Sequence, residues 1–167
     1  MSAEHGKAPV LILAVGNPSR GDDALGPLLA ARLQDWLGLQ HANLQRDVEV
    51  ITDQQLLVEH VLDLQDRACV LFIDATAQGE AAVSLSAVKL LPRPVPVSTH
   101  SSSPTQLLSL YQQLLHATPP TAHLLTLRGH GFELGAPLSE AAQAALPQAW
   151  SCLQAWLSDA RAILIRS

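Results

Sequence analysis

Continuous apolar runs alternate with stretches of helical periodicity along this chain, and this alternation constrains the fold more than any other feature. Val10 to Gly16 and Ala68 to Ala75 are apolar almost throughout, which is typical of strands buried on both faces of a parallel sheet. Between them, Ala24 to Leu37 carries leucines at three-to-four-residue spacing, which predicts an amphipathic helix. The alternation therefore predicts strands joined by crossover helices, an α/β arrangement.

The rest of the chain continues this pattern. Further strands are expected at Val48 to Thr52, Val83 to Leu90 and Ala122 to Leu127. Further helices are expected at Leu56 to Leu64, from a Ser103 cap and Pro104 to about His116, and from Ser139 to Ile165 with a bend at Pro147. We predict one three-layer α/β domain over all 167 residues, with about five mostly parallel strands, helices on both faces and a flexible segment at 1–9.

Charge and hydropathy narrow the classes of partner. The net charge is -5 and no basic cluster interrupts it, which disfavours nucleic acid and anionic lipid as partners. The apolar runs are far shorter than the ~20 residues of a membrane-spanning helix, and the first residues lack the features of a secretory signal. We expect a cytoplasmic protein with no membrane contact, and a monomer. Cys69 and Cys152 have no CxxC spacing and are expected to be buried structural thiols.

Three candidate site residues follow predicted strands. Asp23 lies in the loop after the first strand, Asp74 ends the third, and His100 lies in the loop after the fourth. Ligands of an open parallel sheet bind outside the carboxyl ends of its strands, so these side chains are expected to share one edge. Two carboxylates and an imidazole suit zinc, nickel or iron better than magnesium or calcium. His130, in a later loop after a strand, is a second-tier candidate, whereas solvated roles suffice for histidines such as His60.

Other interpretations of these residues stay open. Gly16 and Gly21 have the glycine spacing of a P-loop, but two aspartates follow where that motif needs Lys and Ser or Thr. Asp22 is expected to cap the following helix, which leaves Asp23 to face the cleft; both aspartates could also serve only as caps. Asp74 could be a cap or turn former, and His100 an exposed loop histidine.

Taken in order, the motifs resemble those of the [NiFe]-hydrogenase maturation endopeptidases. They are GNPSRGDDALG at 16–26, FIDAT at 72–76, STHSSSP at 98–104 and RGHGFELG at 128–135, the last followed by Leu138 and Ser139. The resemblance covers nearly the whole chain. It implies a cytoplasmic peptidase that removes a C-terminal extension from the precursor of a hydrogenase large subunit after nickel has been inserted.

The resemblance also implies roles for individual residues. The nickel belongs to the substrate and is recognised by Asp23, Asp74 and His100, and either acid could activate water, as an aspartic-type or metal-dependent peptidase would. The first acid is glutamate in some relatives, so Asp23 shortens that arm by one methylene. No nucleotide or flavin is expected. Two alternatives are a nickel-handling or precursor-binding chaperone without hydrolysis, and a nucleotide or flavin binder of similar topology.

Overall fold

A five-stranded sheet with helices packed on it forms the body of the computed structural model, which describes residues 6–97 and 101–166. The strands are β1 (Val10–Val15), β2 (Val48–Asp53), β3 (Cys69–Thr76), β4 (Val83–Ala87) and β5 (Thr121–Arg128). The helices are α1 (Leu25–Gly38), α2 (Ala42–Asp47), α3 (His60–Leu64), α4 (Pro104–Leu115) and α5 (Glu140–Arg166), and a short 3₁₀ helix, Gly21–Ala24, precedes α1. None of these described helices is both long and apolar enough to cross a membrane.

The strand order places a crevice between two strands at the centre of the sheet. The order is β2-β1-β3-β5-β4, and every neighbouring pair is parallel except β4 with β5. The chain moves from β1 outward to β2 and then returns to the other side of β1 to form β3. This reversal is a topological switch point, where connections leave β1 and β3 in opposite directions and open a crevice at their carboxyl ends.

The central strand β1 is buried on both faces, as its apolar run predicts. Alternate residues of β1 face opposite layers: Val10, Ile12 and Ala14 pack with α1 and α5, whereas Leu11, Leu13 and Val15 pack with α3 and α4. All six are at most 5% exposed. The predicted three-layer α/β fold with a mostly parallel sheet is confirmed.

The start of α4 is set by its sequence, and this matters because α4 borders the crevice. Ser103 is the N-cap: its hydroxyl oxygen accepts a hydrogen bond from the Gln106 backbone N–H, and the Gln106 side chain accepts one from the Ser103 N–H. This reciprocal pair satisfies the N–H groups of Ser103 and Gln106, and Pro104 in the first turn has no N–H to satisfy. The predicted start of this helix is confirmed.

Several predicted boundaries differ from the structure. The sequence pattern predicts no helix at α2, a six-residue helix in which Leu44 is the buried residue, because one apolar residue sets up no periodicity. The helix expected from Leu56 begins at His60, after a turn in which the His60 N–H donates to the Leu57 carbonyl oxygen and the His60 ring accepts from the Leu57 N–H. Pro147 lies inside α5, which continues through it from Glu140 to Arg166.

Candidate functional site

A cleft of about 460 Å³ opens at the carboxyl ends of β1 and β3, the place that the strand order favours for a ligand. Its walls come from the end of β1, the 3₁₀ helix, the segment after β2, the end of β3 and the start of α4. The lining residues are Val15, Asp23, Gln54, Gln55, Leu56, Asp74, Ala75, Ser101, Ser102, Ser103 and Pro104. Among these described residues, Asp23 and Asp74 carry the only charges, so the cleft is polar and negative.

Asp74 is the acid whose protonation is most perturbed. It lies in β3 just after the fully buried Ile73 and is itself half-buried. Burial and then the nearby charge of Asp23 raise its pKa from 3.8 to about 6, against a smaller lowering by a hydrogen bond from the Ala75 backbone. Asp23 and Asp74 both line this cleft. A carboxyl group with this pKa can accept or release a proton near neutral pH.

Asp23 is held in place by the loop that precedes it. One of its carboxylate oxygens accepts a hydrogen bond from the Asn17 N–H at 2.8 Å. The Asp23 carbonyl oxygen lies so close to Gly16 that a Cβ on Gly16 would be 2.0 Å from it, and Gly16 has a φ of +147°. Only glycine fits at this point, so the loop can wrap tightly around Asp23.

The prediction that Asp22 caps the helix after it is wrong. The 3₁₀ helix and α1 have no side-chain hydrogen bond at their N-caps. The Asp22 carboxylate, which is fully buried, instead accepts hydrogen bonds from the N–H groups of His130, Gly131 and Ser139 and from the Ser139 hydroxyl. Burial raises the pKa of Asp22, but these bonds together hold it below its ordinary value.

The third predicted ligand, His100, lies outside the described residues. The residues that follow it, Ser101 and Ser102, line the cleft. The Ser102 N–H donates to the Leu56 carbonyl oxygen at 2.8 Å and so joins this loop to the segment after β2. In residues 6–97 and 101–166, no three His, Cys, Asp or Glu side chains are grouped so that they could hold a metal ion.

Two other histidines differ in burial: His130 lies at the surface, whereas His60 is buried beside the cleft. His130 is exposed, and its backbone, not its ring, contacts Asp22. The solvated role expected of His60 is wrong, because this residue is 5% exposed. Its Nε2 lies 3.4 Å from a carboxylate oxygen of Asp53, while its Nδ1 accepts from the Leu57 N–H. His60 therefore holds the segment that forms one wall of the cleft, a role that no spacing in the sequence indicates.

The two cysteines lie away from this cleft. Cys69 and Cys152 are free thiols that are half-buried, whereas the sequence predicted buried thiols. Both line an apolar cavity of about 420 Å³ between α5 and the sheet, near the amino ends of β3 and β5. Burial raises the pKa of each thiol, so neither is activated as a nucleophile.

Comparison with solved structures finds the same fold in hydrogenase maturation proteases. The [NiFe] hydrogenase maturation protease HycI from Thermococcus kodakarensis KOD1 is 23% identical, with a TM-score of 0.63 over 92% of this chain and 94% of that one. The hydrogenase maturating endopeptidase HybD from E. coli is 19% identical, with a TM-score of 0.63 over 90% and 92%. The hydrogenase 2 maturation peptidase from Thaumarchaeota archaeon SCGC_AB-539-E09 is 20% identical, with a TM-score of 0.61 over 89% and 97%.

No protein-family model matches the chain, and no curated protein matches its sequence. At identities near 20%, the structural likeness concerns the fold. This fold is the one that the ordered motifs pointed to, so the resemblance to maturation proteases is confirmed at the level of structure.

Proposed function

We propose that this protein is an endopeptidase that removes the C-terminal extension of a [NiFe]-hydrogenase large-subunit precursor after nickel insertion. The observation that carries the proposal is the pair Asp23 and Asp74, which share the cleft at the switch point of a fold found in maturation endopeptidases. We further propose that it acts in the cytoplasm as a monomer.

The charge of the cleft supports recognition of a cation on the substrate. Asp23 and Asp74 repel each other, and this repulsion contributes to the raised pKa of Asp74. A divalent cation seated between them would relieve the repulsion, whereas a precursor without a cation would not. We propose that Asp23, Asp74 and His100 bind the nickel that the precursor carries. In support, Ser101, which follows His100 in the chain, lines the same cleft.

Hydrolysis then needs a proton acceptor beside the scissile amide. We propose that an Asp74 carboxylate oxygen takes a proton from the attacking water, whose oxygen bonds to the amide carbon. The C–N bond breaks as the leaving amine takes up the proton that Asp74 received from the water. Nickel of the precursor, held by Asp23 and Asp74, can polarise the amide carbonyl. Cleavage therefore depends on metal loading of the precursor, which makes the reaction a checkpoint.

The test compares nickel-loaded and nickel-free precursor incubated with the purified protein. We expect intact mass to show loss of one discrete C-terminal peptide from the loaded precursor only. The variants Asp74→Asn and His100→Ala should fold and leave the precursor uncut, while Asp35→Asn, which alters an exposed acid of α1, should cleave as the wild type does. Near-normal cleavage by both site variants contradicts the proposal. Binding of the loaded precursor with no change of mass favours the chaperone alternative.

A further inference from the structure

A buried carboxylate joins the turn that carries Asp23 to segments from the far end of the chain. Asp22 Oδ2 accepts from the His130 N–H at 2.7 Å, the Gly131 N–H at 3.2 Å and the Ser139 hydroxyl at 2.7 Å. Its Oδ1 accepts from the Ser139 N–H at 2.8 Å. Asp22 is 0% exposed, so its charge is balanced by these four donors and not by water.

Backbone contacts reinforce the same connection. The Asp22 N–H donates to the Gly131 carbonyl oxygen at 2.8 Å, and the Gly135 N–H donates to the Ser19 carbonyl oxygen at 2.7 Å. At Gly21, a Cβ would lie 2.4 Å from that same Gly131 oxygen. The two segments therefore touch backbone to backbone at Asp22 and again at Ser19.

The other end of the connection is the start of α5. The Ser139 hydroxyl donates to Asp22 and also accepts from the Ala142 N–H at 3.1 Å, so Ser139 is the N-cap of α5. The negative charge of Asp22 thus lies at the N-terminus of a 27-residue helix, where the helix dipole favours an anion. Asp22 is fixed to the most extended rigid element of the fold.

We infer that Asp22 is a positioning residue: through Ser139 and the loop at 129–131 it fixes the turn from which Asp23 reaches the cleft. The effect of Asp22 on cleavage rests on the proposed function, whereas its effect on the position of Asp23 rests only on the contacts described above. Asp23 is the next residue along the backbone, and its carboxylate is held from the other side by the Asn17 N–H. A shift of the turn at Asp22 must therefore also shift the Asp23 carboxylate relative to Asn17.

Asparagine cannot replace this carboxylate. Both oxygens of Asp22 face N–H or O–H donors, so the NH₂ group of an asparagine at this position would oppose at least one donor in either orientation. The removal of one acceptor leaves a buried donor without a partner, which is a larger loss than that of one ordinary hydrogen bond.

The test follows the Asn17 amide proton by NMR and the cleavage kinetics in parallel. In Asp22→Asn we expect the Asn17 resonance to move upfield as its bond to Asp23 lengthens. We also expect kcat to fall about 100-fold, as for an ångström-scale misplacement of a catalytic group, and KM to rise, because Asp23 is proposed to bind the nickel of the precursor. Ser139→Ala, which removes one of the four bonds, should shift the same resonance less. Leu157→Ala, a buried α5 residue that is 2% exposed, controls for lost stability and should move neither.

The outcomes separate this inference from the proposed function. If Asp22→Asn does not fold, Ser139→Ala alone decides. An unchanged Asn17 resonance in each folded variant overturns the positioning role, and so does an equal loss of kcat in Leu157→Ala at matched stability. If the wild type does not cleave the loaded precursor while Asp22→Asn or Ser139→Ala still shifts the Asn17 resonance, the proposed function fails and the placement of Asp23 by Asp22 stands.

Discussion

Replacing Asp74 with asparagine should make the protein more stable at alkaline pH. The folded state raises the pKa of Asp74 from 3.8 to about 6, so ionising this group is less favourable in the folded than in the unfolded chain. At 1.36 kcal/mol per pKa unit, a shift of this size corresponds to about 3 kcal/mol well above pH 6. Because Asp74 is half-buried, solvent screens part of this penalty, and we expect Asp74→Asn to gain about 1–3 kcal/mol. The asparagine side-chain oxygen can still accept from the Ala75 N–H.

The stability gained by Asp74→Asn should depend on pH. Between about pH 4 and pH 6 the folded state binds more protons at Asp74 than the unfolded state does, so this contribution to the free energy of unfolding falls as the pH rises through that window. Below it, Asp74 is protonated in both states and the penalty disappears. The gain from Asp74→Asn should therefore shrink to about 0.5 kcal/mol or less at pH 4.

The assay is urea unfolding of the wild type and of Asp74→Asn at pH 8 and at pH 4, followed by tryptophan fluorescence. Asp35→Asn, at an exposed position on α1, provides the control and should match the wild type at both pH values. The reasoning is refuted if Asp74→Asn is no more stable than the wild type at pH 8, or if its gain is the same at pH 4. If Asp74→Asn is more stable than the wild type and no longer cleaves the precursor, the protein keeps Asp74 for its activity although this residue lowers the stability.

Two further predictions test the loop and the thiols. Gly16→Ala should lower the free energy of unfolding by about 2 kcal/mol or more, because it places a Cβ in a φ region that disfavours side chains and 2.0 Å from the Asp23 carbonyl oxygen. Thermal unfolding measures this loss, and a variant as stable as the wild type would contradict the prediction. Cys69 and Cys152 should react with iodoacetamide more slowly than free cysteine at pH 7.5, because burial raises their pKa values. Mass spectrometry over time measures this rate, with urea-unfolded protein as the control, and equal rates in folded and unfolded protein would contradict the prediction.

The sheet and the position of the acids could be predicted because they depend on local patterns. Apolar runs such as the one ending at Ile73 indicate strands buried on both faces, and the rule that ligands lie at carboxyl strand ends selects Asp23 and Asp74. Both line one cleft in the structure. His100 stays a prediction because it lies outside the described residues.

The missed features depend on side-chain contacts that the periodicity of a strand or helix does not indicate. Asp22 resembles a helix cap in the sequence because local sequence cannot show that its partners lie 108 to 117 residues away. His60 resembles a solvated histidine because its partner Asp53 belongs to another element. In each case, a polar side chain is buried by a tertiary contact that satisfies it, and burial of this kind leaves no periodic signal in the sequence.

The link between Asp22 and Ser139 has a consequence for the order in which the protein folds. The two residues are 117 positions apart, so this contact closes a long loop, and we expect it to form after the intervening strands have assembled. A chain that has folded as far as β3 already contains both acids, but the turn that carries Asp23 is not yet fixed. We expect the cleft to mature with the docking of α5, so that a partly folded or nicked chain would carry the acids without an organised site.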